Sequence, residues 1–167
     1  VQDQLDLLKV TLKKMNITKD TLAPNHARNQ ISYFKSKMIT PSAQARKART
    51  ILEKTIVEVY SAYQKGLREN GALDFDDLLL YPLELFDKHP KILKKYQNKW
   101  KYILVDEYQD TNMSQYELVK LLAGVRGQFT VVGDDDQSIY AWRGARPENL
   151  MRLATDYPAL KIIKLEQ

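Results

Sequence analysis

Twice in this chain an apolar run stops abruptly in acid: "YILVDE" over residues 102–107 and "FTVVGDDD" over 129–136. Such runs of Val, Ile, Leu and Phe read as strands buried on both faces. Carboxylates buried without partners would be costly, so each run must surface where its acids begin. Between the two lies "SQYELVKLLAGV" (114–125), a helical pattern opened by Ser114. Strand, helix, strand in that order requires parallel pairing, because parallel strands need a crossover. Ligands of parallel α/β sheets bind beyond the carboxyl ends of the strands. Asp106–Glu107 and Asp134–Asp135–Asp136 are therefore expected at one cleft. Magnesium takes one or two carboxylates together with nucleotide phosphates, and an adjacent Glu is placed to orient or deprotonate water. The plainer alternative is that the acids cap loops or helices.

The rest of the chain sorts into helices. Leu5, Leu8 and Leu12 form one stripe over 2–15, and Ile31, Phe34 and Met38 another over 28–38, with turn chemistry at Pro24–Asn25 between them. Residues 40–70 read as one long helix, opened by Thr40–Pro41 and closed by Asn70–Gly71, with the stripe Leu52, Ile56, Val59, Tyr60 and Tyr63. Further helices are expected over 74–89, 90–100 and 146–155, and a third strand over "LKIIKLEQ" (160–167). The expected boundary lies near Gly71. Asp74, Asp76 and Asp77 suit the positive start of a helix better than a metal cluster. His26 and His89 lack a second histidine at ligand spacing and read as surface or capping residues.

Net charge is +5, unevenly spread. Residues 1–70 hold 13 Lys and Arg against 6 acids, whereas 71–167 hold 13 against 15. A basic helical part is either a solvated surface or a nucleic-acid face. Arg46, Lys47, Arg49 and Lys54, on or beside one helix, are the candidates. With no cysteine, disulfide frameworks and thiolate metal sites are excluded, and a reducing cytoplasmic setting fits. No apolar run approaches the roughly 18 residues of a membrane span, and the first residues lack the basic start and apolar core of a signal peptide. The chain begins with Val, so a fragment is expected.

"QSIYAWRGARPEN" follows the second acidic cluster. Bases of single-stranded nucleic acid stack on aromatic faces, and Arg adds charge and stacking. Tyr140, Trp142 and Arg143 could serve that role, or the two aromatics could be core anchors.

"LVDEYQDTNMSQYELVKLL", "FTVVGDDDQSIYAWRGARPENL" and "ALDFDDLLL" together resemble the superfamily 1 DNA helicases of the UvrD/PcrA/Rep type, most closely the Rep-like branch. The resemblance covers essentially the whole chain and is most specific beyond Gly71. It implies an α/β fold: a helical 1B-like subdomain over 1–70, near duplex DNA, and a partial motor domain 1A over 71–167. The latter would be an incomplete RecA-like P-loop NTPase parallel sheet with flanking helices. It further implies that Asp106 holds Mg2+, Glu107 activates the attacking water and Gln137 contacts the γ-phosphate of ATP. Tyr140 and Trp142 would stack single-stranded bases, and Arg143 would join DNA contact to hydrolysis. The implied activity is ATP-dependent 3′-to-5′ translocation and unwinding of DNA. Single-stranded and duplex DNA and replication or repair proteins are the implied partners, at the nucleoid of a bacterial cytoplasm and not in a membrane.

The departures are equally specific. No G-x-x-x-x-G-K-[ST] occurs in the 167 residues, so the backbone cradle and lysine for phosphates are missing. The family places that loop upstream and its strand between "FTVVGD" and "KIIKL". A later arginine motif and a second motor domain are absent too, and the piece alone is expected to be inactive. Two other readings stay open: a non-enzymatic DNA- or protein-binding module with vestigial acids, and the motor part of a recombination helicase–nuclease.

Overall fold

A computed structural model of the chain describes residues 2–134 and 148–163. The chain divides into two compact units, Val1–Pro82 and Leu83–Gln167. The first is helical: α1 (Gln2–Lys14), α2 (Pro24–Ser36), α3 (Pro41–Ala45), α4 (Ile51–Glu69) and the start of α5 (Asp77–Lys88). The second continues α5 and adds α6 (Pro90–Lys99), β1 (Ile103–Val105), α7 (Met113–Ala123), β2 (Phe129–Val131) and α8 (Glu148–Asp156). No helix among the described residues is long and apolar enough to cross a membrane.

The core of the first unit is the predicted stripes brought face to face. Leu8 and Leu12 of α1, Ile31 and Phe34 of α2, and Ile56, Val59, Tyr60, Tyr63 and Leu67 of α4 are all buried. Leu5 is only partly buried and stands outside this core, Leu52 is 44% exposed and Met38 37% exposed, so none of the three joins its expected stripe. Met38 lies past the end of α2 with φ of 57°, which turns it away from the helix face. α2 itself starts at Pro24, earlier than expected, because proline at the first helical position gives up no hydrogen bond. The long helix expected over 40–70 is two helices. Thr40 caps α3, whose side chain accepts from the Ala43 amide. Thr50 then opens α4 with a reciprocal capping box: its hydroxyl accepts from the Glu53 amide at 3.1 Å, and Glu53 accepts from the Thr50 amide at 2.9 Å. Glu53 also takes the Arg49 amide at 2.7 Å. Those bonds compete with helix continuation across 46–50 and win. At the far end, Gly71 adopts φ of 58° just after the Asn70 cap, a conformation that costs glycine little.

The division between the two compact units falls inside α5, and Lys35 holds residues 74–77 to the first unit. Lys35 is completely buried, and its ammonium donates to Asp74 Oδ2 at 2.6 Å and Asp77 Oδ1 at 2.8 Å. The Tyr63 hydroxyl donates to the same Asp74 oxygen at 3.0 Å, and Gln64 Nε2 to the same Asp77 oxygen at 2.9 Å. The Asp77 amide donates to Asp74 Oδ1 at 2.9 Å. Asp74 and Asp77 thus mark the helix start, as expected, but as buried partners of a cation. Burial, with Asp74 next, holds the Tyr63 hydroxyl well above its ordinary range.

Asp76 shares the neighbourhood without a cation of its own. Burial raises its carboxyl above the ordinary 3.8, the Asp74 and Asp77 charges add to the rise, and Ser32 and Lys35 oppose it. A carboxyl raised in the fold binds its proton more tightly there than in the unfolded chain. It favours the fold at low pH and counts against it as pH climbs from 3.8 through the raised value. Asp76→Asn is therefore expected to raise the unfolding midpoint at neutral pH, with the gain vanishing in acid. A lower midpoint at neutral pH would contradict this.

In the second unit β1 and β2 pair in parallel, Ile103 against Phe129, Leu104 against Thr130 and Val105 against Val131. Ile103, Val105, Phe129 and Val131 pack on Tyr108, Tyr116, Leu153 and Tyr157, while Leu104, on the other face, is 76% exposed. The fold class is thus α/β, mostly helical, with a small parallel sheet. The third strand does not form over 161–163, which are irregular; 164–167 lie outside the described residues. α7 starts at Met113, not after Ser114. Asn112 is the cap, with Gln115 completing the box through bonds of 3.0 and 2.9 Å.

Candidate functional site

Asp106 and Glu107 stand at the carboxyl end of β1, both exposed. They surface because the pairing with β2 ends there. The Val132 amide donates to the Val105 carbonyl at 2.8 Å, and the Tyr108 amide to the Val132 carbonyl at 2.9 Å. The two strand tips are therefore laced side by side, as the repeated pattern predicts. Asp134, three residues past β2, is exposed at the second tip. Asp135 and Asp136 lie outside the described residues, as do Gln137, Tyr140, Trp142 and Arg143.

Glu107 takes a left-handed backbone conformation, φ 50° and ψ 43°. For a residue with a Cβ this stores strain of order 1–3 kcal/mol, and such strain clusters at functional positions. The turn is held from both sides. The Glu107 amide donates to Asp106 Oδ1 at 2.9 Å, and a 3₁₀ turn over Tyr108–Asp110 follows at once. Tyr108 is fully buried and anchors that turn in the core. Asn149, also fully buried, donates from α8 to the Thr111 carbonyl at 2.9 Å. The strained acid thus sits on a fixed base.

Asp106 spends one carboxylate oxygen on the Glu107 amide, and its other oxygen carries no bond among the described residues. A hard, exposed carboxylate of this kind suits magnesium, which keeps several waters and takes one or two carboxylates plus phosphates. No group of three or more His, Cys, Asp or Glu among the described residues is arranged to hold a metal. Asp74 and Asp77 are occupied by Lys35 as above, and His26 and His89 are exposed. Arg46, Lys47, Arg49 and Lys54 are exposed as well. They follow the turn between α3 and α4 and the first turn of α4, not one continuous helix.

The residue that sequence reasoning missed is Gln109. Its side chain is 1% exposed and lies between the two tips. The signal was present as an amide two residues beyond the second carboxylate, in a turn where polar side chains have few partners.

A profile of the UvrD/REP helicase N-terminal domain matches residues 1–158. The chain belongs to that family. Among curated UvrD/REP relatives, the ATP-dependent DNA helicase Rep of Escherichia coli (strain K12) is 51% identical over 165 residues, covering 99% of this chain and 24% of that protein. Rep of Buchnera aphidicola subsp. Schizaphis graminum is 48% identical over 99% of this chain and 25% of its own length. The ATP-dependent DNA helicase PcrA of Staphylococcus aureus is 46% identical over 99% of this chain and 23% of that protein. The similarity to the Rep-like branch expected from the motifs is thus found. The chain spans roughly a quarter of the length of these UvrD/REP relatives.

Proposed function

We infer that this chain is part of an ATP-dependent DNA helicase and carries the acids that hydrolyse ATP. The observation that carries this reading is the pair of laced strand tips with Asp106 and Glu107 exposed at one of them. The names of the UvrD/REP relatives support it. Asp106 would hold magnesium through its unengaged oxygen. When bound, the ion would offset phosphate charge as the terminal phosphoryl group transfers. Glu107 would take a proton from the attacking water. The water oxygen then bonds to the terminal phosphorus, the bond to the bridging oxygen breaks, and ADP and phosphate leave.

Residues 1–70 are proposed as the helical 1B-like subdomain, with Arg46, Lys47, Arg49 and Lys54 facing duplex phosphates. The remainder is proposed as part of a RecA-like motor domain 1A. The exposed Leu104 face supports a larger sheet, since parallel sheets are normally covered on both faces. Gln137 is assigned to the γ-phosphate, Tyr140 and Trp142 to stacking on single-stranded DNA, and Arg143 to DNA contact. Translocation is proposed as 3′ to 5′, at the bacterial nucleoid, alongside replication or repair proteins.

The test is strand displacement by the full-length protein on partial duplexes with a 3′ or a 5′ single-stranded tail. ATP-dependent unwinding of the 3′-tailed duplex alone is expected. Unwinding confined to the 5′ tail would overturn the polarity, and none on either would overturn the helicase reading. The 167-residue chain by itself, lacking a phosphate loop, is expected to show no ATPase activity above background. A robust rate abolished by Glu107→Gln would contradict that.

A further inference from the structure

We propose that Gln109 is a positioning residue for hydrolysis: its buried amide holds the Glu107 carboxylate and ties it to the tip of β2. The proposal rests on the reading of Glu107 as the residue that activates water. Gln109 Nε2 donates to Glu107 Oε2 at 2.7 Å, and Gln109 Oε1 accepts from the Asp134 amide at 3.0 Å. The chemistry sets the amide's orientation. A backbone N–H can only donate, so the amide oxygen must face Asp134, and the NH2 is left to a carboxylate that can only accept when ionised. One side chain therefore couples the acid after β1 to the backbone after β2.

Two features show that the tie is built in. Gln109 is 1% exposed, so losing either bond leaves a buried polar atom of its amide unpaired. The tip of β2 also packs closely on Gln109 at Gly133. A Cβ on Gly133 would lie 2.8 Å from Gln109 Oε1 and 3.3 Å from the Gln109 backbone nitrogen. The segment beginning at Asp134 leads in sequence to Gln137, assigned above to the γ-phosphate, and to Tyr140, Trp142 and Arg143, assigned to DNA. A shift of the β2 tip would then be felt at the Glu107 carboxylate through a single amide.

The plainer role is that Gln109 only satisfies the Asp134 amide and steadies a loop. Gln109→Glu separates the two. It keeps an acceptor for Asp134 in nearly the same volume but sets a second carboxylate against Glu107. Gln109→Met keeps the volume and loses both bonds. In the full-length protein, with single-stranded DNA present, both variants are expected to lower kcat for ATP hydrolysis by about 10²-fold, the scale of a misplaced reacting group. KM for ATP and DNA affinity should hold within about twofold, and Gln109→Met should cause no further loss in a Glu107→Gln background, as for residues acting as one unit. A wild-type kcat in Gln109→Glu would overturn the proposal and leave the loop role. So would a full additive loss in the double variant. If Gln109→Met does not fold, Gln109→Glu decides alone. In either of those cases an inactive Glu107→Gln single variant leaves the reading of Glu107 standing. A fully active one removes both.

Discussion

Glu107→Gln in the full-length protein is expected to lower the rate of ATP hydrolysis by about 10²–10⁴-fold, the usual contribution of a positioned general base. The amide is the same size as the carboxylate and can still meet Gln109, but it cannot take a proton from water. Nucleotide and DNA binding are expected to persist, because Asp106 keeps its unengaged oxygen and the backbone bonds that lace the strand tips do not involve the Glu107 side chain. The split between lost turnover and kept binding is the signature. Loss of nucleotide affinity with kcat intact would mean that Glu107 serves the ground state, and the assignment would fail.

Lys35→Met is expected to cost about 3–5 kcal/mol of unfolding free energy, the usual price of removing one partner from a buried ion pair. The methionine fills the space of the lysine stem, so packing is little changed. The loss comes from leaving two carboxylates, on Asp74 and Asp77, in an interior with no cation. Adding Asp74→Asn and Asp77→Asn to Lys35→Met should recover much of it, because the stranded charges then disappear together. Urea unfolding followed by circular dichroism reads both effects. A Lys35→Met loss under about 1 kcal/mol, the scale of a surface ion pair, would mean the network is solvated.

The strand tips were legible in the sequence because their signal is local. An apolar run that ends in acid can be satisfied in few ways, and two of them around one helix imply parallel neighbours. The stripes of α1, α2 and α4 were legible for the same reason, since each repeats within a few turns. The two-part break over 40–70 was not. Ala, Lys and Arg across 43–49 suit a helix, and Thr50–Glu53 prevails only because the box bonds two amides reciprocally. The start of α7 was misplaced by a similar box at Asn112–Gln115, with Ser114 drawing attention as the commoner capping type. Lys35 was illegible for a different reason. A lysine between Phe34 and Ser36 looks like a solvent-facing residue, and its partners lie 39 and 42 positions away. Gln109 stood in plain view, but its second partner is 25 residues on, and only the paired strand tips bring them together.

The most direct test of the account is the steady-state ATPase rate of the full-length protein with and without single-stranded DNA, measured beside Glu107→Gln. The account predicts a rate strongly stimulated by DNA and lost in the variant. A rate indifferent to DNA, or one that survives Glu107→Gln, would contradict it.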